Sequence, residues 1–113
     1  MAAPEPATIT GYHAHIYFEE SNRDYAAEIR ETMAARFDVE MGRWHDKPVG
    51  PHSRPMYQVA FSTRTFADIV PWLMVNHGDV AVLIHPRTGD DLSDHTNYAL
   101  WLGEKLDLDL SVL

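Results

Sequence analysis

The sequence predicts an α+β fold: a ferredoxin-like β-α-β-β-α-β sandwich with a four-stranded antiparallel sheet, a C-terminal helix and an extended tail. Two observations carry this reading. Runs of alternating or β-branched residues ("ITGYHAHIYFE", "MYQVAF", "DVAVLIHP") interleave with two helical stripes. Proline- and glycine-rich stretches punctuate the order, most clearly "HDKPVGPHSRP".

Residues 1–8 are rich in Pro and Ala and are expected to form a loose tail, with residues 9–113 as one domain. The first strand is expected over Ile9 to Glu19, with Tyr12, Ala14, Ile16 and Phe18 on one face and His13, His15 and Tyr17 on the other. Ser21 is the expected N-cap of the first helix, with Asp24 in its third position and a stripe at Tyr25, Ile29, Met33 and Phe37. "FDVEMGRW" reads as a weak second strand interrupted by Gly42. "MYQVAF" is the third strand, and Gln58 is its polar member. "TRTFADIVPWLMVNHG" reads as a helix with Phe66, Ile69, Val70, Leu73 and Met74 inward. Pro71 either begins or kinks it, and Gly78 is its stop. The fourth strand ends at His85, and "LSDHTNYALWLG" reads as a last helix closed by Gly103. Asp90, Asp91 and Asp94 suit the turn and N-cap that open it. The tail alternates Leu106, Leu108, Leu110 and Val112 with polar residues, as an apolar strand edge would.

Composition narrows the function classes. The 113 residues carry a formal net charge of −8 with His neutral, which argues against nucleic acid and anionic membranes as partners. The absence of cysteine excludes disulfides, thiolate nucleophiles and Cys-based metal sites. No apolar run approaches the roughly 18 residues of a membrane-spanning helix, and "MAAPEPATI" lacks the layout of a signal peptide. A soluble, cytoplasmic protein is expected. Seven histidines stand out, at positions 13, 15, 45, 52, 77, 85 and 95.

The fold reading brings several of them together. If the branched residues of strands one, three and four pack on the helices, His13, His15, Tyr17, Gln58 and His85 share the open sheet face. His52, in the loop before strand three, reaches the same face. His95 lies on the apolar stripe of the last helix with Leu92, Ala99 and Leu102, so that helix is expected to cover the face. Neutral imidazole suits zinc, iron, copper and nickel, and an HxH pair on a strand can supply two ligands to one ion. Arg54 is a candidate clamp for a substrate carboxylate. His45 and His77 read as surface residues.

"GYHAHIYFE", "GPHSRPMYQVAF", "VLIHPRTGDDLSDHTNYALWLG" and "LDLDLSVL" together resemble the DOPA dioxygenase family, over about Gly11 to Leu113. The resemblance implies extradiol cleavage of a catechol such as DOPA by dioxygen at a non-haem Fe(II), in a ferredoxin-like protein that is often a homodimer. The apolar tail edge points to a homodimer as well. The expected metal ligands are His15, His52 and His85, with zinc or another divalent ion able to occupy the same site. His13 and His95 are the expected acid–base residues, and Tyr17, Arg54 and Gln58 the expected substrate contacts. The alternative is a non-catalytic ferredoxin-like dimer that binds a metal or a small aromatic ligand.

Overall fold

The computed structural model describes residues 4–113. A five-stranded antiparallel sheet, in the order β2-β3-β1-β4-β5, carries two long helices on one face. β1 is Tyr12–Tyr17, β2 Glu40–Met41, β3 Met56–Phe61, β4 Ala81–Pro86 and β5 Leu100–Leu102. The long helices are α1, Arg23–Arg36, and α2, Thr63–Asn76; a short α3, Asp91–His95, follows β4. The first four strands have the ferredoxin-like order, and β5 is an addition on the β4 edge.

The core lies between sheet and helices. Ala14, Ile16 and Phe18 from β1 and its end pack with Tyr57, Val59 and Phe61 of β3 and Val82 and Ile84 of β4. Ala26, Ile29 and Met33 of α1 and Ile69, Val70 and Leu73 of α2 close over them. Tyr57 also donates its hydroxyl to the Ala26 carbonyl at 2.7 Å, which ties β3 to α1 and satisfies a buried polar group. The opposite face carries a smaller cluster of Tyr17, Met56, Ala81, Leu83 and Leu106. Both faces are therefore partly apolar, but only the second also carries the histidines.

Several expectations change. β1 is shorter than the expected 9–19 stretch, and β2 retains two residues because Gly42 follows it directly; a Cβ there would lie 2.9 Å from the Gln58 carbonyl oxygen. Ser21 does not cap α1: it sits inside a 3₁₀ turn, Glu20–Asn22, and Asn22 becomes the N-cap, accepting the Glu19 backbone N–H at 2.7 Å through Oδ1. Pro71 lies within α2. Met74 points outward and is 53% exposed, because at about 100° per residue it falls past the Ile69–Leu73 stripe that meets the sheet. The N-terminal segment, expected to be loose, makes one 3₁₀ turn at Pro6–Thr8 within its described part; residues 1–3 lie outside the described residues.

The largest correction is at the C-terminus. The expected last helix stops after five residues, where Thr96 turns its hydroxyl back onto the Leu92 carbonyl at 2.6 Å. The chain then runs back along β4 as β5, pairing Leu100 with Ile84 and Leu102 with Val82. A strand here satisfies the β4 backbone groups that a four-stranded sheet would leave open, and it stacks Trp101 on Tyr17 with ring centres 5.8 Å apart. Gly103, with φ of +73°, follows a strand rather than ending a helix. The tail is not a strand either. Asp109 donates its N–H to the Pro51 carbonyl at 2.8 Å, and Leu106 folds into the open-face cluster. The apolar edge behind the homodimer expectation is thus half consumed within the chain, leaving Leu110 and Val112 exposed. Among the described residues no helix is long and apolar enough to cross a membrane.

Gly78 ends α2 as its sequence position suggests. Its φ is +57°, and a Cβ there would meet the Tyr25 ring at 2.8 Å. Gly78→Ala is expected to destabilise the fold by about 1–2 kcal/mol from the left-handed backbone alone, with the Tyr25 clash adding to it. Chemical denaturation reads this directly, and a loss below a few tenths of a kcal/mol would contradict it.

Candidate metal centre

Strand pairing assembles the site. β1 lies between β3 and β4 with His13 opposite His85 and His15 opposite Gln58. Alternation puts all four side chains on the sheet face away from α1 and α2. The long loop before β3 adds His52, and α3 adds His95. Together they wall a cleft of about 530 Å³, which Arg87, Thr88, Asp91 and Asp94 also line. That volume suits one small ligand.

His13, His15 and His85 each offer a nitrogen within 4.8 Å of the other two, so the cluster could hold a metal ion. Their protonation can be worked out from partners. His85 Nδ1 lies 2.9 Å from the Pro86 carbonyl oxygen, which can only accept, so Nδ1 carries the proton and Nε2 presents its lone pair. His15 Nε2 sits 3.0 Å from that nitrogen. A proton or a shared cation must lie between the two nitrogens. Two nitrogens each about 2.1 Å from one ion at a right angle stand about 3.0 Å apart, so the spacing fits a common ion. His15 Nδ1 is buried without a partner among the described residues.

His52 stands beside the trio, its ring centre 4.3 Å from that of His15. Its Nδ1 is 2.7 Å from the Tyr17 hydroxyl. Burial pushes the Tyr17 phenol up, so it remains an O–H donor, and it has no other hydrogen-bond partner among the described residues. Donation to His52 Nδ1 leaves the His52 proton on Nε2. As a metal ligand through Nε2, His52 would need the opposite tautomer. His95 has the reverse arrangement to His52: Nδ1–H donates to the Asp91 carbonyl at 2.7 Å, leaving Nε2 as an acceptor. Its ring centre is 4.1 Å from that of His85.

The imidazoles are held neutral. Burial lowers His13, His52 and His85 to about 4, and His15 well below its ordinary value. Neighbouring imidazoles reinforce the shift, and Arg87 adds to it at His13; the Pro86 carbonyl opposes it at His85. Neutral imidazole is the form that binds a metal. The nearby buried carboxylate does not compete for such a role. Asp94 accepts the Thr88 N–H at 2.9 Å and the Thr88 hydroxyl at 2.6 Å, one on each oxygen.

Of the residues singled out from sequence, His13, His15, His52, Gln58, His85 and His95 line the cleft together. Tyr17 acts from below through His52. Arg54 is not brought to the cleft: it pairs with Glu19 at 3.4 Å and Glu104 at 3.2 Å, tying the end of β1 to the segment after β5. His77 bonds the Val80 carbonyl at 3.0 Å, away from the trio, whereas His45, bridged through its backbone to Met56, lines an adjoining pocket with His15, His52 and Gln58. Arg87 was not singled out. The signal was its position two residues after His85, which continues the same strand face.

This is an antiparallel α+β fold with an all-imidazole cluster that could hold a metal ion under a ligand-sized cleft. The sequence matches the profile of the Dopa 4,5-dioxygenase family over residues 12–112. It is 34% identical to an uncharacterised 21.2 kDa protein of Botryotinia fuckeliana, over 90% of this chain and 62% of that protein. It is 32% identical to DOPA 4,5-dioxygenase of Amanita muscaria, over 93% of this chain and 50% of that one. The crystal structure of a candidate dioxygenase from Nostoc punctiforme superposes with a TM-score of 0.96 at 50% identity, over 97% of this chain and 96% of that one. The chain belongs to the Dopa 4,5-dioxygenase family. It spans 62% and 50% of the length of these two curated relatives.

The neutral cluster makes stability depend on pH with a definite sign. Folding favours the deprotonated rings, so their contribution is complete above the unfolded value near pH 6.5 and is lost as pH falls to about 4. Metal-free protein should therefore melt at a constant temperature from pH 8 to about 6.5 and at falling temperature below it. A melting temperature that stays flat from pH 6.5 to 5, before the carboxylates titrate, would contradict the assignment.

Proposed function

We propose that this protein is a ferrous, extradiol ring-cleaving dioxygenase acting on a catechol. The observation that carries the reading is the group of neutral imidazoles, His13, His15 and His85, under a cleft large enough for one aromatic ring. These three residues would hold the ion. Bound Fe(II) would supply open positions for the two catechol oxygens and dioxygen and a path for electrons from the catechol, the net reductant, to dioxygen. Three neutral ligands leave the ion's double positive charge uncompensated, which favours a substrate that arrives as an oxyanion. Overall, both atoms of dioxygen enter the product as one ring carbon–carbon bond beside the diol breaks.

The chain's own residues handle protons and position. His95 Nε2 is an acceptor at the cleft wall and can take the proton of a catechol hydroxyl. Across the cleft, His52 presents an N–H, held in that tautomer by Tyr17, and can donate to an oxygen that gains charge. The two rings stand 6.4 Å apart, so a substrate oxygen between them can meet an acceptor on one side and a donor on the other. Gln58 supplies a further polar contact on the floor. Tyr17, Trp101, Leu106 and Leu83 form an apolar shoulder that keeps water from the Tyr17–His52 bond.

The direct test is anaerobic loading with Fe(II), followed by DOPA or another catechol and oxygen; a yellow ring-opened product is expected. Zinc suits the same donors, so the native ion is removed first. Iron retention without product would instead mark a non-catalytic binding protein. His95→Ala is expected to keep iron near wild-type stoichiometry and to slow turnover at least about tenfold, the low side of a general acid–base contribution. Loss of iron would make His95 a ligand, and unchanged turnover would make it a packing residue.

A further inference from the structure

Arg87 is the cationic side chain of the cleft that the proposed reaction leaves unused. Its backbone is fixed on both sides: its N–H donates to the Gly11 carbonyl at 2.8 Å, and its carbonyl accepts the Thr10 N–H at 2.9 Å. Those bonds set Arg87 against both Thr10 and Gly11, a local bulge one step past the Tyr12–Pro86 pair. Gly11 has no side chain to place on the histidine face. A Cβ there would come to 4.0 Å from Arg87 Cδ, so the arginine stem lies over the space that glycine leaves open. The guanidinium is exposed and has no ion-pair partner among the described residues. Asp94, the buried acid of the same cleft, is occupied by Thr88. Arg54, the other arginine weighed for such a role, is bound between two glutamates.

We propose that Arg87 reads the charge of the substrate: the cleft takes an aromatic diol that carries an anionic arm, a carboxylate, and Arg87 clamps that arm while the diol meets the histidines. The inference rests on the reading of the cleft as a catechol site. Two strand steps carry the chain from His85 to Arg87, about 6.6 Å, which is the scale of a benzene ring with a short substituent. Guanidinium matches carboxylate geometrically and binds it in bidentate fashion. The need for such a group is plain in a chain of formal net charge −8, whose overall field repels anions.

The test is anaerobic calorimetry of the ferrous protein with homoprotocatechuate, a catechol bearing an acetate arm, and with its uncharged methyl ester. Without oxygen no turnover is needed. Wild type is expected to bind the acid about tenfold more tightly than the ester, as one charge-assisted contact at an exposed site allows. R87Q should bind the two within about twofold, and R87K should keep part of the preference as a point charge without the fork. A wild type that binds both equally, or neither, overturns the assignment, as does loss of the preference in R54Q with retention in R87Q. If wild type prefers the acid through Arg87 yet cleaves no catechol when oxygen is admitted, the dioxygenase reading falls and the role of Arg87 stands.

Discussion

A one-residue slip of β1 between its neighbours would undo this protein twice. The side-chain period of a strand is two, so the slip would turn Ala14 and Ile16 away from α1 and α2 and drive His13 and His15 into the core. The same pairing that buries the branched residues of β1, β3 and β4 sets His13 across from His85 and brings His15 Nε2 to 3.0 Å from His85 Nε2. Core and site are therefore the two faces of one register. Apolar burial specifies the register strongly, and the imidazoles are carried to one another by it.

That arrangement has an electrostatic consequence. Burial holds the rings neutral, and the neighbouring rings discourage any one of them from charging. No carboxylate joins the trio: Asp94 is turned to Thr88 and Asp91 stays exposed at the rim. The cleft thus offers lone pairs without negative charge. Tyr17 and the Asp91 carbonyl then set His52 and His95 in opposite tautomers, one a donor and one an acceptor, from residues that lie outside the trio.

Most of this was legible in the residues, for an identifiable reason. β1, β3 and β4 each alternate cleanly, and alternation alone fixes which side chains share a face; Gln58 and His85 could be placed beside His15 that way. Leu100 to Leu102 failed because "ALWL" suits a helix stripe and a strand equally, and the open edge of β4 decided the matter. His95 still reached the cleft, since five helical residues were enough to carry it there. The leucines of the tail alternate without a strand partner, so their period described a loop folded on the open face. Arg54 looked like the anion clamp by its nearness to His52 in sequence, whereas Glu19 and Glu104, distant in sequence, hold it elsewhere. The tautomers could not be read from sequence, because they depend on the Pro86 and Asp91 carbonyls and on a tyrosine 35 positions from its histidine.

His13, His15 and His85 are proposed to hold one ion. Crystals of the metal-loaded protein, with diffraction recorded on both sides of the metal's absorption edge, locate that ion independently of any activity. A single anomalous peak is expected, touching Nε2 of His15, Nε2 of His85 and a ring nitrogen of His13 at about 2.0–2.2 Å, with His52 and His95 outside that range. A peak bound by His52 in place of His13, or one outside the cleft, would contradict it.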